Sequence, residues 1–155
     1  MLFLVFQVDN DRYALDAGQV AEVLPCLDLK RIAHAPPGVV GLLNYRGRPV
    51  PVIDLCELMV GRPAVKHLST RQILVHYRDG AGALRLLGLV AERATETLRC
   101  DASAFVDSGV GARDAPYLGP VAAGDRGLIQ RIDANTLLPP SLRDLLFEPA
   151  TEAGS

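Results

Sequence analysis

An all-β fold, arranged as two small five-stranded barrel lobes with a few short helices, is what this chain predicts. Three observations carry the prediction. Short runs rich in Val, Leu and Ile recur along the 155 residues, each bounded by turn-forming residues. Pro and Gly fall often enough between those runs to leave little room for a long helix. The order of the runs also repeats, so that the second half of the chain reads as a second use of the plan of the first.

The elements follow in order. Residues 2–8, "LFLVFQV", are dense in Phe, Leu and Val and read as a strand; "VDNDR" then turns, because Asn and Asp side chains bond their own backbone. "YALD" resumes extended chain, and "AGQVAEVLP" is a turn or short strand running to Pro25. Two prolines forbid helix in "HAPPGVVG" by removing N–H donors and extending their predecessors. "VVGLLNY" and "RPVPVIDL" are strands joined at Arg46-Gly47, and "DLCELM" fits one or two helical turns, stopped by Gly61 and Pro63. Asp54 stands where an N-cap belongs. After a polar linker at 61–71, "QILVHYR" and "ALRLLGLVAE" form a hairpin about "DGAG". A Gly-rich loop covers 108–114, followed by the strands "YLGPVA" and "GLIQRID" and the short helices "ANTLL" and "SLRDLLF". Residues 149–155 read as a flexible polar tail.

The internal repeat pairs "FLVFQVDNDRYAL" with "ILVHYRDGAGALRLLGL" and "PGVVG" with "PYLGP". It pairs Val20-Ala21-Glu22 with Val90-Ala91-Glu92, and Asp54 and Leu58 with Asp133 and Leu137. The expected domain is therefore one unit over 1–148. Its first lobe spans about 12–70 and its second about 71–147, and the N-terminal strand is free to pair with either. An apolar seam should join the lobes.

Composition narrows the function. The apolar fraction is 49%, with no Trp, so the core is Val, Leu, Ile and Ala. The net charge of −2, with Lys and Arg dispersed, gives no basic stripe for nucleic acid. A small nucleic-acid-binding β-barrel is the alternative reading, but it wants surface aromatics and a basic groove. Cys26, Cys56 and Cys100 are widely separated, and no CxxC spacing exists; they read as buried hydrophobes. His34, His67 and His76 are scattered, so neither a metal nor a cofactor is expected. No GxSxG, Cys/His or phosphate-loop pattern supports catalysis. The opening apolar run lacks a basic leader and is too short to span a bilayer, so a soluble cytoplasmic protein without membrane insertion is expected.

The stretches "APPGVVGLLNYRGRPVPVIDL", "LVAERATETL" and "PYLGPV…GLIQRIDANTLL", with "VAEVLP" before them, resemble the CheW family of chemotaxis coupling proteins. The resemblance covers about residues 2–147 and is most specific over 36–55. It implies two intertwined SH3-like barrels about a shared core and no catalysis. It also implies a cytoplasmic adaptor between the helical tip of a chemoreceptor and the regulatory domain of a CheA-like histidine kinase. The matched positions of "G-x-x-N-x-R-G" are Gly41, Asn44, Arg46 and Gly47, which the resemblance puts at a receptor-binding groove. Tyr45 stands there in place of the usual Leu and keeps an apolar body while adding a hydroxyl. Val20 and Glu22, from "V-x-E", join the same groove. Strand alternation would put these two on one face.

Overall fold

The computed structural model describes residues 1–110 and 115–147. The expected tail at 149–155, and part of the Gly-rich loop, lie outside the described residues. Nine strands are described: β1 Leu2–Val8, β2 Asp11–Asp16, β3 Val20–Pro25, β4 Val39–Tyr45, β5 Arg48–Asp54, β6 Arg71–Arg78, β7 Leu84–Arg99, β8 Leu118–Gly124 and β9 Gly127–Ile132. The helices are short: α1 Leu55–Val60, α2 Pro140–Leu146, and 3-10 turns at Ala17–Gln19, Ala102–Ala104 and Ala134–Thr136.

The strands form one sheet in the order β3-β6-β7-β1-β2-β9-β8, with β5 also paired to β7 and β4 to β5. The 16-residue β7 explains why nine strands suffice where about ten were expected. Its residues Leu84–Ala91 pair with β6, and from Glu92 onward it pairs with β1. One strand thus serves both halves of the fold: a first half of β3–β6 with Leu84–Ala91 of β7, and a second half of β1, β2, β8 and β9 with the rest of β7. Its second part, "ERATETLR", alternates exposed and covered residues, whereas Leu87–Ala91 of its first part are buried without a break.

The repeat is real in the topology. The hairpin β1–β2 accepts β9 in parallel on β2, as the hairpin β6–β7 accepts β5 in parallel on β7. β5 and β9 both lead into an Ile-Asp pair, and each aspartate caps the helical segment after its strand. The Asp54 carboxylate accepts from Cys56 N at 2.9 Å and Glu57 N at 3.4 Å, and Asp133 accepts from Asn135 N at 3.0 Å. Gly61 ends α1 at φ +74°, a left-handed cap.

The same pairing corrects the register of the repeat. Ile53 lies beside Leu89, which faces Ile73; Ile132 lies beside Leu15, which faces Leu4. One step along, Leu74 faces Glu22 and Val5 faces Glu96. Glu22 therefore corresponds to Glu96, Leu24 to Leu98 and Cys26 to Cys100. The Val-Ala-Glu likeness between residues 20–22 and 90–92 is out of step with the fold.

Two closed barrels were expected, and the sheet is not closed. Among the described residues, the chain that follows β3 meets β4 at the single bridge Lys30–Leu42, and the matching gap has the single bridge Val106–Val121. The apolar seam does form. A large core containing Phe6, Leu15, Ile53, Ile73, Tyr77, Leu89 and Ile132 draws on both halves. Each half adds a satellite, one about Phe3, Phe105 and Ile129, the other about Leu43, Val52 and Leu74. Full burial of such side chains stabilises by about 1.5–3 kcal/mol each.

Candidate functional site

Arg46-Gly47 is the two-residue loop of the β4–β5 hairpin, closed by the pair Tyr45–Arg48. Both loop residues have positive φ, +52° for Arg46 and +81° for Gly47. This is the condition for the type I′ loop, whose twist matches that of the flanking strands. Asn44 completes the turn, its Oδ1 accepting from Gly47 N at 3.0 Å. The strands thus need Gly47, while the arginine is not required by the turn. Gly47→Val tests this. The space about Gly47 is open, so only the left-handed backbone opposes a side chain. A β-branched residue there should destabilise by about 1–2 kcal/mol, read as a lowered denaturation midpoint at unchanged m-value.

Arg46 is turned outward, its side chain 76% exposed. The guanidinium lies 5.0 Å from the centre of the Tyr45 ring and 3.7 Å from Glu22 Oε2. The Tyr45 hydroxyl donates to the same Glu22 oxygen. That hydrogen bond raises the pKa of the phenol above its ordinary value. Glu22 on β3 and Tyr45-Arg46 at the β4–β5 turn therefore form one cluster: a carboxylate, an aromatic face and an outward guanidinium loosely paired with the carboxylate. It contains no nucleophile–base pair. It suits recognition of a surface that is apolar and bears carboxylates or carbonyl ends.

The other expected site residues divide. Val20 does not share a face with Glu22, because an irregularity in the register intervenes. Val20 faces Val75, and Glu22 faces Leu74. Successive residues of β6 point to opposite sides, so Val20 packs on the large shared core while the neighbouring Leu24 packs on the first-half satellite. Gly41 is buried, at a bulge opposite β5. An added Cβ there would lie 2.6 Å from the Lys30 carbonyl oxygen, so Gly41 lets the chain after β3 bridge β4. Beside the turn, Asp28, Lys30, Leu42, Leu43, Asn44, Gly47 and Pro49 line a depression of about 300 Å³.

Sequence reasoning missed a second ionic cluster. The linker at 61–71 is not loose, because Arg62 forks onto Glu92 at 3.0 and 3.2 Å and reaches Asp9 at 2.9 Å. Val65 N donates to Glu92 at 2.6 Å, and Ala64 N to Asp54 at 2.8 Å. Arg62 holds the Glu92 carboxyl below the usual carboxylate range. No sequence pattern marks these partners, which come from three separate segments. Cys56 is buried, and burial pushes its thiol up to about 12, so it is inert at neutral pH. Among the described residues no group of three or more His, Cys, Asp or Glu is placed to hold a metal. Nor is any described helix long and apolar enough to cross a membrane.

Several known proteins are similar to this chain. The fold is similar to that of the scaffolding protein TtCheW from Thermoanaerobacter tengcongensis. The TM-score is 0.79 at 23% identity, over 94% of this chain and 93% of that one. The "Chemotaxis protein CheW" of Klebsiella aerogenes is 28% identical over 96 residues, 62% of this chain and 55% of that protein. That of Helicobacter pylori is 29% identical over 98 residues, 63% of this chain and 56% of that protein. The chain thus spans about half the length of these two relatives. The CheW of Bacillus subtilis is 26% identical over 137 residues, 87% of this chain and 85% of that protein. The model of the CheW-like domain matches residues 2–140, and by that match the chain belongs to the CheW-like domain family.

Proposed function

We propose that the chain is a non-catalytic cytoplasmic adaptor in a chemotaxis or chemosensory array on the inner face of the membrane. In this reading it joins the cytoplasmic helical tip of a chemoreceptor to the regulatory domain of a CheA-like histidine kinase. The observation that carries the reading is the outward Arg46 beside Glu22 and Tyr45, within a chain that the CheW-like domain model matches almost throughout. An amphipathic helical tip offers both an apolar stripe and charged or carbonyl groups, which this mixed cluster complements. The receptor-binding set is Glu22, Asn44, Tyr45, Arg46 and Gly47 at the turn, with Val20 and Gly41 supporting it from below. The two SH3-like lobes, about 12–70 and 71–147, belong to this reading, as does a pseudo-symmetric contact of the first lobe with a kinase domain of like fold.

The kinase arm has its own test. Titration of the purified chain into the regulatory domain of its cognate kinase should give saturable heat at roughly tens of micromolar, near −6 to −7 kcal/mol of binding free energy. No association in that range would remove the bridging role.

A further inference from the structure

The two halves differ at the centres of their satellite cores. In the second half Phe3 faces Leu98, and its ring lies 4.9 Å from that of Phe105, the residue before the Val106–Val121 bridge. The corresponding residues of the first half are Gln72, facing Leu24, and Leu29, the residue before the Lys30–Leu42 bridge. Two phenyl rings are replaced by a carboxamide and an isobutyl group. The neighbours do not recover the volume. A cavity of about 400 Å³ opens there, with Leu27, Leu29, Val40, Pro63, Gln72 and Val90 in its wall. That is the size of a small-molecule site.

Gln72 is 2% exposed. Its Nε2 donates to the Leu27 carbonyl at 2.8 Å. A carbonyl accepts only from the nitrogen end of an amide, so this bond fixes which way the group is turned. Oε1 is then left without a donor among the described residues. A buried acceptor in that state is unfavourable, and a donor brought into the cavity would relieve it. Asp54, also in the wall, is occupied by the N–H groups of Cys56, Glu57 and Ala64. The remaining charged residues of the wall carry both signs and select no net charge.

From these observations we infer that the first-half cavity binds a compact aromatic small molecule with one hydrogen-bond donor, of the indole or phenol class. The ring takes the volume that Phe3 and Phe105 fill in the second half, and its N–H or O–H donates to Gln72 Oε1. The inference does not depend on the adaptor reading.

Titration of the isotope-labelled chain with indole and with phenol, followed by NMR, tests it. Saturable shifts are expected at Leu27, Leu29, Val40 and Val90, and none about Phe3. Gln72→Phe restores the residue of the second half, and should fold and bind at least about ten-fold more weakly. Leu29→Phe narrows the same cavity and serves should Gln72→Phe not fold. Gln72→Leu should weaken indole and phenol while sparing toluene, which has no donor. Three results overturn the assignment: shifts that never saturate, binding that survives filling of the cavity, or indole and phenol affinities unmoved by Gln72→Leu. Capture of a Gly-Trp-Gly peptide but of neither free ring would also overturn it, in favour of a partner's side chain.

Discussion

Glu92→Ala should lower the melting temperature by about 6–12 °C, the equivalent of roughly 3 kcal/mol in a domain of this size. Glu92 is 9% exposed and accepts three hydrogen bonds, two from Arg62 and one from Val65 N. Through Arg62 it also reaches Asp9 in the β1–β2 turn. It stands where β7 passes from its β6 partner to its β1 partner, and the next residue, Arg93, has φ +50°. Removing the carboxylate frees the segment after α1 and leaves the Val65 N–H unpaired at the crossing point of the fold.

The pH dependence has a definite sign. Arg62 depresses the folded-state pKa of Glu92, so the stabilisation is present above the unfolded value of about 4.3 and is lost as pH falls through the folded value. Thermal melts of the wild type and Glu92→Gln should differ most near neutrality and converge in acid. Equal melting temperatures at pH 7 would show that Arg62 and Val65 find other partners at no loss.

The legibility of the fold and site follows the range of the forces involved. Strand positions, the Asp54 cap and the Arg46-Gly47 turn could be read from the sequence because each is decided by neighbours a few residues away. The plan used twice was also legible, since order and spacing preserve it. Its register was not. The Val-Ala-Glu likeness misled because strand pairing, not local identity, sets equivalence, and pairing gives Glu22 and Glu96. The shared face of Val20 and Glu22 failed for a related reason: one irregular step, invisible in composition, shifts a strand's facing. The Glu92–Arg62–Asp9 cluster was illegible because its members meet only after the halves interlock.

The same interlocking bears on the Arg46 turn. The corresponding hairpin of the second half, β8–β9, carries Arg126 in its loop, and Arg126 Nη2 lies 2.8 Å from Glu96, the counterpart of Glu22. There the carboxylate is also paired with Arg12, a buried residue. Glu96 thus ties together three elements of the second half. In the first half no buried arginine stands behind Glu22 among the described residues, and Tyr45 donates to it instead. The guanidinium of Arg46, at 3.7 Å from Glu22, is not committed to a close hydrogen bond. One plan therefore yields a closed ionic corner in the second half and an open one in the first.

Arg46→Glu should therefore leave the fold in place and, on the adaptor proposal, strongly weaken receptor binding. Glutamate replaces a solvated side chain at a turn, where such changes move stability by about half a kcal/mol or less. The left-handed backbone at Arg46 strains arginine and glutamate alike, and the exposed pair with Glu22 contributes little. At a partner surface the change is of another order. The attraction between the guanidinium and a carboxylate or helix C-terminus is lost. A second carboxylate beside Glu22 adds repulsion, and together these weaken binding by about 2–5 kcal/mol where the contact is desolvated. Kinase binding, through another surface, should persist. The measurement is co-sedimentation with receptor arrays, after circular dichroism and melting show the variant folded. Raising the salt should weaken the wild type and have far less effect on what binding remains to the variant. Recruitment undiminished by Arg46→Glu would make Arg46 a plain turn residue and place the receptor contact on another part of the surface.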